Sequence, residues 1–154
     1  MTLIIRQMQE NDITFVQEIA RISWHHTYER IIPRDIQDRF LQLAYSRERL
    51  IERLINSPFL VAIFDEWLVG FANFSNVTQG EAELHAIYLH PHMHGKGVGT
   101  ALLKEGLRML PNLSSLFVCV EKENKLGLHF YQAKGFVTIV EFDGHLLKTI
   151  KLVK

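Results

Sequence analysis

Residues 94–100 read His-Gly-Lys-Gly-Val-Gly-Thr, three glycines within five positions. The run follows a strand-like stretch, 84–89, and opens a helix-like one, 101–110. Glycines here let the backbone take positive φ and leave no Cβ to hold a ligand away. Their amides lie at a helix N-terminus, where unpaired N–H groups and the macrodipole favour an anion. A diphosphate is the natural guest. Two familiar phosphate turns do not fit. Walker A requires Gly-Lys followed by Ser or Thr, and Gly97 follows Lys96. The Rossmann fingerprint needs two residues between its second and third glycines, and Gly95, Gly97, Gly99 are evenly spaced.

The segment 91–103, Pro-His-Met-His-Gly-Lys-Gly-Val-Gly-Thr-Ala-Leu-Leu, resembles motif A of the GNAT superfamily of acyl-CoA-dependent N-acyltransferases. That motif runs Arg or Gln, two free positions, Gly, one free position, then Gly or Ala, and it binds the pyrophosphate of coenzyme A. Its last three positions fall on Gly97, Val98 and Gly99. Its first falls on His94, a departure that replaces Arg's permanent fork of donors by an imidazole. The resemblance implies that His94, Gly95, Lys96, Gly97, Val98, Gly99 and Thr100 hold the cofactor. Downstream, residues 124–136, Asn-Lys-Leu-Gly-Leu-His-Phe-Tyr-Gln-Ala-Lys-Gly-Phe, resemble motif B of the same family, with Gly127 where Ala is more usual. Local chemistry agrees: Asn124 suits an N-cap, Gly135 a C-cap, and Phe136 restarts an apolar strand. The resemblance covers residues 60–142 well and the first third loosely.

The length, 154 residues, suits one domain, 1–154, with a substantial core. Seventeen basic and seventeen acidic side chains cancel, so there is no electrostatic case for nucleic acid or a membrane surface as partner. The first residues lack the basic-then-apolar order of a signal peptide, and no apolar run reaches the length of a membrane span. Cys119 is the only cysteine, which excludes an intrachain disulfide and makes a cytoplasmic location the expectation. Its setting, Leu-Phe-Val-Cys-Val, reads as a buried strand with a packing thiol.

Periodicity supplies the elements. Residues 3–7 read as a strand. Asp12 is placed to cap a helix carrying Phe15, Val16, Ile19, Ile22 and Trp24. A short helix follows Pro33, around 36–43, and Ser46 caps another, with Leu50, Ile51, Leu54 and Ile55 on one face, ending before Pro58. Strands at 59–64 and 67–74 flank Asp65-Glu66, a two-residue turn without the favoured glycine. Strands at 81–89 and 116–120 and a closing hairpin, 137–142 with 145–153 around Asp143-Gly144, complete the order. The pattern matches what the resemblance implies. That is an α/β (α+β) fold with a mixed, mostly antiparallel sheet of about seven strands and helices on both faces. In that family the central strands splay, and the pantetheine arm of the cofactor enters the gap. Here those strands are 81–89 and 116–121, with the backbone of Ile87, Tyr88 and Leu89 implied as its partners.

Acetylation of an amine from a thioester needs a neutral amine, a polarised carbonyl and a protonated leaving thiolate. Alkylamines with pKa near ~10 are mostly protonated at neutral pH, so a general base has work to do. Tyr131 aligns with the family's motif B tyrosine, whose phenol often protonates the thiolate, and is the catalytic candidate on that ground. Glu83 is the candidate base, with His85 as its alternative; simple alternation places Glu83, His85, Ile87 and Leu89 on one face and Leu84, Ala86 and Tyr88 on the other. Asn124 is the further cofactor-binding candidate. Trp24 and Tyr28 fall where the family commonly walls its acceptor pocket, and an aromatic pair can stack on an apolar or cationic amine. His90, His92 and His94 alternate, but Pro91 interrupts them and no Asp or Cys stands near, so no metal is expected. The resemblance therefore implies an N-acetyltransferase using acetyl-CoA on a small-molecule or peptide amine, with room for a homodimer. Loosely, a Trp followed by Tyr and Ile-Pro is similar to the subgroup containing polyamine acetyltransferases. A non-catalytic acyl-CoA sensor would share the glycine turn; Tyr131 favours the enzyme.

Overall fold

The computed structural model describes the backbone of residues 2–142 and 147–153 and the side chains of residues 2–139. Seven strands form one sheet in the order β1-β2-β3-β4-β5-β7-β6. They are β1 (Leu3–Gln7), β2 (Phe59–Phe64), β3 (Trp67–Phe74), β4 (Glu81–Leu89), β5 (Ser115–Glu121), β6 (Val137–Phe142) and β7 (Leu147–Val153). Every neighbouring pair is antiparallel except β4 with β5. The helices are α1 (Ile13–Tyr28), α2 (Arg34–Ala44), α3 (Arg47–Asn56), α4 (Val98–Met109) and α5 (Lys125–Ala133). The expected turn at Asp143-Gly144 lies outside the described residues.

Two apolar clusters sit on opposite faces of the sheet. On one, Leu102 and Leu103 of α4 and Leu128 and Tyr131 of α5 pack with Ala72, Phe74, Leu84, Leu116, Val118 and Val120. On the other, Val16, Ile19 and Ala20 of α1 and Leu50 of α3 pack with Phe59, Val61, Phe71 and Ala86. The mixed sheet with helices on both faces is therefore the fold expected. One-sided burial also corrects the reading of Cys119. Alternation sends Leu116, Val118 and Val120 into the first cluster, so Cys119 points the other way and is exposed.

Local signals behave as physical chemistry requires, with two corrections. Ser46 Oγ accepts the Arg49 amide at 3.2 Å and starts α3. Asp65 and Glu66 turn the β2–β3 hairpin with φ of 47° and 75°, a primed turn made without glycine. Asp12, by contrast, does not cap α1. Its carboxylate turns back to accept the Gln9 amide at 2.8 Å and a forked pair from Arg6 at 2.7 and 3.0 Å. Likewise α4 begins at Val98, three residues before expectation, because only Gly95 and Gly97 take positive φ (78° and 81°). Gly99 is helical and serves close packing: a Cβ there would lie 3.1 Å from Phe130 Cε1.

The strand that positions everything else is β4. Its pairing with β3 matches Asn73 to Ala86 but Phe74 to Leu84, leaving His85 as an extra residue in a β-bulge. The bulge reverses the alternation expected for β4. Leu84 joins the α4 cluster, and Ala86, two residues on, joins the α1 cluster. Glu83 therefore does not share a face with Ile87 and Leu89, which pack toward α4 with Leu84. On its other edge, β4 pairs with β5 only at Glu81–Ser115, Ala82–Leu116 and Glu83–Phe117. Beyond Glu83 the two strands part.

Candidate active site

The gap left by the parting strands has backbone polarity to satisfy. His90 donates its amide to Val69 O at 2.8 Å, and hydrogen-bonded and non-bonded pairs alternate in an antiparallel ladder. The bonded pairs are then Phe71 with Tyr88 and Asn73 with Ala86 in the given register. It follows that the amides and carbonyls of Ile87 and Leu89 face the gap, ready for an extended ligand. The backbone of Tyr88 is used in the ladder instead, which corrects its expected role; what Tyr88 brings is its side chain.

A cleft of about 390 Å³ follows this gap and reaches the glycine turn. At its phosphate end, Gly97 is the N-cap of α4 in left-handed conformation, followed by the unpaired first-turn amides. A Cβ at Gly95 or Gly97 would meet nothing within 4 Å, so the space above them is open to a ligand. Gly99, Thr100, Val98 and half-buried His94 also line the cleft, while Lys96 is exposed beside it. At the other side Asn124 caps α5, its Oδ1 accepting the Gly127 amide at 2.9 Å. A Cβ at position 127 would approach the Asn124 amide to 2.6 Å, which explains glycine there. Asn124 and Tyr28 both line the cleft.

Three phenols converge at the centre of the cleft. The hydroxyls of Tyr28 and Tyr88 are 3.3 Å apart, and both rings interact electrostatically with Tyr131. Tyr131 is buried, with Phe130 and Phe136 edge-on to its ring at 5.4 and 5.3 Å. Burial pushes all three phenols above their ordinary value, Tyr88 and Tyr131 strongly, so each stays protonated at neutral pH. Motif resemblance pointed to Tyr131; nothing local to the sequence brought the hydroxyls of Tyr28 and Tyr88 together.

A second cavity, about 430 Å³, lies on the α1 side of β4. Trp24, Phe40, Tyr45 and Tyr88 give it aromatic walls, and Glu52 and Arg53 supply charge. Trp24 stacks on Phe40 at 4.5 Å with planes 22° apart, and touches Tyr28 at the same centroid distance. Arg53 is engaged, lying over the Tyr45 ring at 4.8 Å and donating to Ala44 O at 2.7 Å. Phe40, Tyr45, Glu52 and Arg53 were not singled out in the sequence, because α2 and α3 there read simply as amphipathic helices. Trp24 thus borders this cavity, whereas Tyr28 lines the cleft that reaches the glycine turn.

The two cavities share His85, Ala86 and Tyr88. His85 is presented at this junction by the bulge, and its Nδ1 stands 2.9 Å from Glu83 Oε2. Glu83 itself lines neither cavity. No group of three or more His, Cys, Asp or Glu suited to a metal ion occurs among the described residues. None of the helices among those residues is long and apolar enough to cross a membrane.

A glycine cradle at a helix N-terminus, continued by a gap between splayed strands with unpaired amides, defines a coenzyme A-dependent acyltransferase. The family model described as the Acetyltransferase (GNAT) family matches residues 15–136, and the chain belongs to that family. The chain is 30% identical over 153 residues to a spermidine N(1)-acetyltransferase of Thermoplasma acidophilum, covering 94% of this chain and 93% of that one. It is also 30% identical over 135 residues to the uncharacterized N-acetyltransferase YuaI of Bacillus subtilis, covering 84% and 77%. The crystal structure of PaiA N-acetyltransferase from Thermoplasma acidophilum in complex with coenzyme A superposes with a TM-score of 0.94 at 26% identity, covering 100% of both chains. The protein is an acyl-CoA-dependent N-acetyltransferase.

Proposed function

We propose that the acceptor is a small-molecule primary amine seated in the second cavity, and that it attacks the acetyl thioester directly where the two cavities meet. The junction at His85, Ala86 and Tyr88 carries this reading, since it is the place where groups held in the two spaces come into contact. Bound acetyl-CoA supplies an activated acetyl group, and the cradle at Gly95–Thr100 with the gap-facing backbone of Ile87 and Leu89 fits its diphosphate and amide-bearing arm. Asn124 forms the far wall at the start of α5.

His85 takes the proton of the incoming amine. Its Nδ1–H donates to Glu83, which leaves the Nε2 lone pair as the base, so Glu83 acts through His85. A gap-facing amide on β4 is suited to negative charge developing on the thioester oxygen. Tyr131 delivers a proton to the departing sulfur, and its burial keeps the phenol protonated at neutral pH beforehand. No covalent acyl-enzyme is required.

Aromatic faces from Trp24, Phe40, Tyr45 and Tyr88 with Glu52 at the rim suit an alkylammonium chain, which favours a polyamine-like acceptor. The spermidine acetyltransferase of Thermoplasma acidophilum supports the same class. The test is thiol release from acetyl-CoA against spermidine, simple diamines, amino acids and peptide N-termini. Turnover highest with di- and polyamines is expected. Release with peptides and none with small amines would overturn the acceptor assignment.

A further inference from the structure

The glycine turn is surrounded by imidazoles where a diphosphate ordinarily meets arginine. His26, in the last turn of α1, brings its ring centroid to 5.9 Å from that of His94, with planes 60° apart. Across the 3-10 turn that precedes the glycines, His90 and His92 meet edge-on at 5.0 Å, and His90 Nδ1 accepts the His92 amide at 3.2 Å. The imidazole–carboxylate pairs of the described residues lie elsewhere, at His25–Asp38 and His85–Glu83. His26 therefore stands beside His94, which lines the cleft, and neither ring is paired with a carboxylate among the described residues.

This arrangement has no evident structural purpose. His26 is exposed, and its ring makes no hydrogen bond or ion pair to the described residues. Two imidazoles at such a separation leave room for an anion's oxygen about 2.8 Å from a nitrogen of each, the length of a charge-assisted hydrogen bond. The turn that holds His94 directs Gly95, Gly97 and the first amides of α4 at the same place. We propose that His26 and His94 close on the coenzyme's diphosphate as a two-imidazole clamp that takes up protons on binding, so that cofactor affinity rises as pH falls.

The sign follows from the groups present. Burial lowers the pKa of His94, and the neighbouring imidazoles of His26 on α1 and His90 on the turn lower it further. Without ligand His94 is thus mainly neutral at pH 7. A dianionic diphosphate reverses the balance and favours the protonated rings, so binding consumes protons between the two pKa values.

The inference rests on the glycine turn being the diphosphate seat, and the test separates the two. Calorimetric titration with 3′-dephospho-coenzyme A, in buffers of different ionisation heat from pH 6 to pH 8.5, measures proton uptake directly. This ligand keeps the diphosphate and lacks the 3′-phosphate, which itself titrates in that range. The wild-type protein is expected to take up protons near pH 7 and to bind roughly tenfold more tightly at pH 6 than at pH 8. H26Q and H94Q should each lower the uptake, and the double variant should abolish it. Proton uptake that disappears when the 3′-phosphate is absent would assign the histidines to that group and overturn the clamp. Wild-type uptake in H26Q, with affinity lost equally at every pH, overturns it as well. No binding of either coenzyme form at any pH sinks the underlying seat along with the clamp.

Discussion

His85 Nδ1 lies 2.9 Å from Glu83 Oε2, although the two residues stand on a strand whose bulge sends only His85 to the junction of the cavities. In the mechanism proposed above the pair shares the role of base, for which the sequence offered Glu83 with His85 as its alternative. Replacing His85 by Gln should lower kcat/KM by roughly 10²-fold, the scale of a lost general base. E83Q should cost less, about tenfold, because the imidazole keeps its place and loses only the carboxylate that orients it. Steady-state kinetics measure both. An E83Q kcat/KM equal to wild type would separate Glu83 from the chemistry.

Tyr131 offers a cleaner deletion. Tyr131→Phe keeps the ring between Phe130 and Phe136 and removes one hydroxyl. Coenzyme affinity should stay within about twofold, while kcat and kcat/KM fall together by roughly 10²-fold, as expected for an interaction made only in the transition state. Near wild-type kcat would demote the phenol to packing.

Gly97 and Gly99 should fail differently despite their nearness. Gly97→Val places a β-branched residue at φ 81°, a strain of ~1–2 kcal/mol, and fills the space above the cradle. Coenzyme binding should be lost by calorimetry with a small fall in Tm. Gly99→Val meets Phe130 at 3.1 Å, and overpacking of this kind costs ~1–3 kcal/mol. Its effect should appear in Tm, with part of the coenzyme affinity retained. Complete loss of binding in Gly99→Val at an unchanged Tm would contradict the packing role given to Gly99.

His94→Arg should tighten coenzyme A binding, by roughly three- to tenfold at pH 8 and less at pH 6. The reason is the lowered pKa of His94: the wild-type ring is neutral at pH 8 and regains charge on acidification, whereas arginine is charged throughout. Raising salt should shrink the gain. Weaker binding at pH 8 would mean that position 94 does not meet the phosphates.

Asp12 links the first strand to α1. Burial raises its pKa, and the Arg6 fork and the Gln9 amide outweigh that effect, leaving it lowered. A depressed carboxylate stabilises the fold above its unfolded pKa, near ~3.9, and loses that contribution as pH falls through the folded value. Asp12→Asn should therefore cost ~1–3 kcal/mol at pH 7 and progressively less below pH 4. Denaturant titrations at pH 7 and pH 3.5 give the comparison.

The sequence by itself determined the features whose cause is local. Left-handed turns at Gly95 and Gly97 need glycine, and Asn124 caps α5 because its short amide reaches the Gly127 N–H three residues on. Ser46, the Asp65-Glu66 turn and the apolar periodicities acted in the same way, over a few neighbouring residues. Tertiary structure decided whatever depends on partners distant in the chain. The bulge at His85 exists only in the pairing of β4 with β3, and it inverted the faces that strict alternation assigns. One-sided burial of β5 exposed Cys119, whose apolar neighbours look buried on both sides when read in sequence. The meeting of Tyr28, Tyr88 and Tyr131, from a helix, a strand and another helix, arises where strands part after Glu83. No residue type encodes that point, because it is fixed by how the two halves of the sheet pack against their helices.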